Sequence, residues 1–174
     1  GIKEVPKEKL IPNKTYFMFS HTIKKQLYNQ LLLKEIINKK IRLIDYECLA
    51  TSGKRIVAFG KYAGIAGAYN SLMCYGKKYD IFNLERLDCF KDTNDLYKFT
   101  SSFKFKGQIR ILIIGDGRVA KGAVELLESF KIIKVNTNDY INKNYNHPVY
   151  CQLGVREYVK RKDGKKFEEQ EYFN

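Results

Sequence analysis

The stretch IRILIIGDGRVAKGAVELLESFKI, residues 109–132, decides how the chain is read. Its opening apolar run has strand length, a glycine turn follows, and the rest has the period of a helix. A second short apolar run, IIKV, comes next, so the order is strand, helix, strand. Gly115 and Gly117 stand two apart directly after the first strand, and Ala120 takes a third position that needs a small residue. Gly115 permits a tight turn, Gly117 lets a pyrophosphate approach the backbone, and Ala120 lets helix and sheet close up. The helix N-terminus near Arg118 offers unpaired N–H groups to the same phosphate. Gly115, Asp116, Gly117, Arg118 and Val119 are therefore candidate residues for a dinucleotide. An acidic residue would meet the ribose about 20 positions further on. Asp139 is the late candidate, while Lys134 and Asn136 would tolerate a 2′-phosphate, so NAD and NADP both stay open.

Upstream, TYFMFS (15–20) reads as a buried strand, and Ile23, Leu27 and Leu31 at four-residue spacing predict a helix capped by Ser20 or Thr22. IRLIDYE (41–47) and KRIVAF (54–59) read as two more strands, with Ser52 and Gly53 supplying a turn between them. A helix over 61–79 carries Ala63, Gly64, Gly67, Ala68 and Ser71 at helical spacing. Each glycine there costs roughly 1 kcal/mol against alanine, and close packing between domains is the expected reason. The opening GIKEVP fits the end of a strand, residues 80–109 hold one short helix near 94–99, and 136–148 is loop-rich. VYCQL (149–153) reads as a strand, and the last fifteen residues as a solvated charged tail.

With 174 residues, 44% of them hydrophobic and 14% aromatic, the composition is that of a globular protein. No apolar run reaches membrane-spanning length and the N-terminus lacks the pattern of a signal or transit peptide, which points to a soluble, cytoplasmic protein with no membrane partner. Four scattered cysteines lack the paired spacing of zinc or redox sites, so they read as reduced thiols, and no metal is expected. The net charge of +13 invites a nucleic-acid partner. However, the lysine pairs at 24, 39, 77 and 165 are spread along the chain among acids and form no basic stripe with interleaved aromatics. The expectation is a lysine-rich solvated surface, no nucleic acid, and an acidic small ligand.

IKEVP, FSHTIKKQ, IRLIDYE, GKRIVAFGKYAGIAGA and GDGRVAKGA resemble, in order and approximate spacing over residues 2 to about 135, the alanine dehydrogenase and transhydrogenase superfamily. Within it they look most like the saccharopine dehydrogenase and lysine-2-oxoglutarate reductase branch. The resemblance implies an α/β fold of two Rossmann-like domains with a cleft between them, both incomplete in this chain. It also implies NAD(P)-dependent joining of lysine and 2-oxoglutarate into saccharopine through an imine, or the reverse. Such chemistry needs groups that donate and accept protons. On the family's motifs, Lys3 and His21 are the acid-base candidates. Glu4 and Glu47 match carboxylates near the site, Lys24 and Gln26 are candidate substrate contacts, and Arg55 matches a basic residue at the cleft. His147, outside the motifs, is left structural.

A complete enzyme of this branch has a half-domain before IKEVP and continues past the second Rossmann strand. The chain therefore reads as a fragment: residues 1–59 from the end of the substrate domain, and 60–174 the first part of the cofactor domain. On its own it is expected not to turn over substrate. Homo-oligomerisation is left open, as are two other functions, reductive amination of a small 2-oxo acid as in alanine dehydrogenase and nucleotide binding without catalysis.

Overall fold

The computed structural model describes residues 3–173, with only the backbone of Phe173. The chain divides into two compact units, Gly1–Ala58 and Phe59–Asn174.

In the first unit, β1 (Thr15–Met18) and β2 (Arg42–Asp45) pair in parallel, with Thr15 opposite Arg42 and Met18 opposite Asp45. Helix α1 (Gln30–Asn38) is the crossover between them and buries Leu32 and Ile36 against Leu10 and Met18. The helix expected to follow a cap at Ser20 or Thr22 begins only at Gln30. A 3-10 turn at Thr22–Lys24 ends at Lys25, whose φ of 54° is left-handed, and extended Gln26 separates it from a second turn at Leu27–Asn29. Ile23, Leu27 and Leu31 consequently face solvent, at 59%, 85% and 54% exposure. The strand expected over 54–59 shrinks to β4 (Lys54–Arg55), a hairpin with β3 (Ala50–Thr51). Its turn is the expected Ser52–Gly53 pair, both with positive φ as a two-residue hairpin requires. Lys3–Pro6 form no strand, and the start of the expected one lies outside the described residues.

In the second unit, α2 (Gly60–Tyr79) and α4 (Arg118–Ser129) are the main packed pair. A Cβ on Gly64 would lie 1.9 Å from the Val119 carbonyl oxygen, and one on Gly122 would lie 1.9 Å from the Lys61 carbonyl oxygen. Gly64 of α2 thus serves close contact within this unit, where packing between domains was the expected reason. Between the two helices in sequence, α3 (Thr93–Ser102) is capped by Asp92, whose side chain accepts from the N–H groups of Asn94 and Asp95.

The sheet of this unit has the order β5 (Arg110–Ile114), β7 (Val149–Leu153), β6 (Ile133–Lys134), all parallel. In a doubly wound sheet the second strand of the strand–helix–strand unit lies beside the first. Here β7 comes between them, pairing with all five residues of β5 and with both of β6. The core gathers Tyr69, Leu126, Leu127, Phe130 and Tyr150 beneath this sheet, with Ile111 and Ile113 of β5 packed on it. Leu112 and Ile114, on the opposite face of β5, are 45% and 59% exposed. Three short helices complete the unit: α5 (Thr137–Asn142) inside the expected loop, α6 (Val155–Tyr158), and α7 (Glu169–Phe173) in the charged tail. Among the described residues no helix is long and apolar enough to cross a membrane, and no cluster of metal-ligating side chains occurs.

Candidate active site

Parallel pairing of β1 and β2 makes their C-terminal ends emerge side by side, since Met18 is opposite Asp45. Residues 20–22 leave one strand and 45–47 leave the other, which brings His21 and Glu47 together across 26 positions. His21 itself has φ 56°, a left-handed conformation uncommon outside glycine. Its ring lies 6.3 Å from that of Phe19.

The Glu47 side chain is only 4% exposed, and three basic groups surround it. Its Oε2 lies 2.9 Å from His21 Nδ1, while Oε1 lies 3.4 Å from Lys24 Nζ and 3.9 Å from the Arg55 guanidinium. Burial pushes the Glu47 carboxyl up, but the His21 hydrogen bond and the charges of His21 and Lys24 outweigh it and hold the group below its usual range. An ionised carboxylate only accepts hydrogen bonds, so the neutral imidazole carries its proton on Nδ1 and keeps a lone pair on Nε2. Nε2 faces Glu4 Oε1 at 3.7 Å, too far for a hydrogen bond. The arrangement is chemically suited to take up a proton at Nε2 and release it again.

The structure thus gathers Glu4, His21, Lys24, Glu47 and Arg55. Lys3 is exposed, and among the described residues no hydrogen bond or ion pair ties it to His21. Gln26 points elsewhere, its side-chain oxygen accepting from the Tyr28 hydroxyl at 2.7 Å.

In the second unit, Gly115 has φ 106°, which suits glycine alone, and Gly117 begins α4 in extended conformation. A Cβ on Gly117 would meet nothing within 4 Å, so the backbone there is open to a bound group. Asp116, Arg118 and Val119 are exposed around the turn. Both polar groups of Gly115 are tied to β7: its N–H donates to the Leu153 carbonyl at 2.8 Å, and its carbonyl accepts from Gln152 Nε2 at 3.0 Å. Sequence reasoning missed Gln152, because a residue 37 positions away on a parallel strand leaves no local signal. Asp139 sits in the first turn of α5 with its carboxylate 3.0 Å from Lys143. With β7 between β5 and β6, the strand beside the glycine turn is β7, whereas Asp139 follows β6.

No family model matches the chain. It is 32% identical over 171 residues to the mitochondrial alpha-aminoadipic semialdehyde synthase of Bos taurus, an alignment covering 83% of this chain and 18% of that protein. It is also 32% identical over 149 residues to the saccharopine dehydrogenase [NAD(+), L-lysine-forming] of Candida glabrata, covering 78% and 40% respectively. Among solved structures, an L-alanine dehydrogenase is similar with a TM-score of 0.44 at 10% identity, over 89% of this chain and 43% of the other. The chain therefore spans less than a fifth of the bovine protein and two fifths of the fungal one. Alpha-aminoadipic semialdehyde synthase and saccharopine dehydrogenase are its homologues, and it matches a part of each.

Proposed function

We propose that this protein is an oxidoreductase of lysine metabolism that interconverts saccharopine with lysine and 2-oxoglutarate, using NAD or NADP. The observation that carries the proposal is the buried Glu47 side chain holding the His21 imidazole by Nδ1, in a chain with a relative named saccharopine dehydrogenase [NAD(+), L-lysine-forming]. When an amine condenses with a 2-oxo acid, the carbonyl oxygen leaves as water and the amine changes protonation. His21 Nε2 takes and returns these protons. Glu47 stabilises the imidazolium that forms, as a carboxylate does behind any general-base histidine. Glu4 supports the same charge from the other side, and Lys3 is the second acid-base group. Lys24 and Arg55 meet the substrate, the two cations matching its carboxylates.

The first unit carries the amino-acid side of the reaction and the second carries the cofactor. The open backbone at Gly117 and the left-handed Gly115 fit a dinucleotide pyrophosphate, which Asp116, Arg118 and Val119 would border. Asp139 is the acidic candidate for the ribose. When bound, the nicotinamide group supplies or accepts a hydride.

The test follows NADH and NADPH oxidation by the full-length protein, with lysine plus 2-oxoglutarate in one reaction and ammonia plus pyruvate in another. Oxidation in the first supports the proposal and identifies the cofactor. Oxidation confined to the second moves the protein to alanine dehydrogenase chemistry, and silence in both leaves a nucleotide-binding domain without catalysis.

A further inference from the structure

Beside the His21–Glu47 pair lies a set of linked polar groups. Ser20 is fully buried and Asp45 is 8% exposed. The Ser20 hydroxyl donates to Asp45 Oδ2. The same Ser20 oxygen accepts the Thr22 backbone N–H at 3.2 Å and lies 2.7 Å from the Thr22 hydroxyl. Asp45 Oδ1, in turn, accepts the backbone N–H of Glu47 at 2.8 Å. Ser20 and Thr22 flank His21, and Asp45 stands two residues before Glu47. One connected path therefore runs from the backbone after His21, through Ser20 and Asp45, to the backbone of Glu47.

We propose that Ser20 and Asp45 are positioning residues that set the distance and orientation of the His21–Glu47 pair, and with them the tautomer of His21. Three observations converge on this role. First, the left-handed backbone of His21 persists only where its surroundings over-determine it, and the Thr22 N–H bond to Ser20 closes a turn around it. Second, proton bookkeeping is complete without any group left over. With its single proton given to Asp45, Ser20 accepts from the Thr22 N–H and hydroxyl, and Asp45 is used on both oxygens. Third, the path joins the two strand ends at the level where the imidazole and carboxylate leave the backbone, so a shift of either strand end moves one partner against the other.

The inference rests on the acid-base reading of His21 for its purpose, but its test requires no turnover. The 174-residue chain contains two histidines, so the imidazole ¹⁵N signals of His21 can be assigned by comparison with His147→Asn. In the neutral ring of the unsubstituted chain, long-range ¹H–¹⁵N spectra are expected to show the proton on Nδ1. In Ser20→Ala, that signature is expected to be lost in favour of the ordinary mixture dominated by Nε2–H. If the single variant does not fold, the double variant Ser20→Ala/Asp45→Val removes both side chains of the path together, leaving the Thr22 and Glu47 N–H groups as the donors that lose an acceptor, and the same loss is expected. A folded variant of either kind that keeps the Nδ1–H signature overturns the positioning role, as does an unsubstituted chain protonated on Nε2. A merely structural bond between strand ends would lower the melting temperature and leave the tautomer alone. If His21→Gln leaves the turnover of the full-length protein intact, the catalytic reading fails while a tautomer change in Ser20→Ala still stands.

Discussion

His21 and Glu47 meet through a 2.9 Å hydrogen bond from Nδ1 to Oε2, at a carboxylate whose side chain is 4% exposed. Because Glu47 is held below its usual range, its bonds stabilise the fold only while it is ionised. The contribution is fully present above the ordinary value of 4.5 and is lost as pH falls through the lower folded value. Glu47→Gln should lower stability at neutral pH by about 1.5–3 kcal/mol, the range for a hydrogen bond to a charged group. Urea unfolding between pH 7 and pH 3 should show the gap between the two proteins closing below the ordinary carboxylate range. A gap independent of pH would mean that the charge on Glu47 contributes nothing.

Gly64 and Gly67 lie one turn apart on α2 and should respond to alanine in opposite directions. At Gly64 the new methyl would collide with the Val119 carbonyl at 1.9 Å, and backbone cannot swing aside, so Gly64→Ala should cost about 1–3 kcal/mol or more. At Gly67 nothing lies within 4 Å, so Gly67→Ala should gain up to about 1 kcal/mol of helix propensity. Thermal unfolding of the two variants, run together, checks the sign of each.

These glycines also show how much the sequence reveals. A stripe of small residues on a helix announces close approach, and its partner is legible only in coordinates: at Gly64 it meets α4, which starts from the glycine turn. The strand, turn and helix of 109–129 were legible because local period and glycine spacing specify them. The segment after β1 was not, since Ile23, Leu27 and Leu31 imitate a helix face while Lys25 adopts a left-handed turn that spacing cannot reveal. Within the site, the family motifs pointed to His21, Glu4, Lys24, Glu47 and Arg55. Ser20, Asp45 and Gln152 escaped because their partners come from neighbouring parallel strands 25 and 37 positions away.

The glycine turn can be tested separately from the fold. Valine at position 117 would encounter no atom of the protein within 4 Å of its Cβ, and the φ of −72° there suits any residue. Gly117→Val should therefore leave the melting temperature nearly unchanged and fill the space a pyrophosphate would take. NADH or NADPH binding, followed by nucleotide fluorescence, should weaken at least about tenfold, a loss of about 1.4 kcal/mol. Unchanged affinity would remove the turn from the cofactor site.

The most direct test of the central claim compares His21→Gln with His147→Gln in the full-length protein, measuring kcat for lysine plus 2-oxoglutarate. His147 is partly exposed, its ring bonds the neighbouring Asn146 and lies beside that of Tyr145, and it stands outside the candidate site, so its substitution should leave kcat unchanged. His21→Gln, folded to the same extent, should lower kcat by about 10²–10⁴-fold, the usual worth of a positioned acid-base group. A folded His21→Gln protein that turns over at the unsubstituted rate would contradict the account.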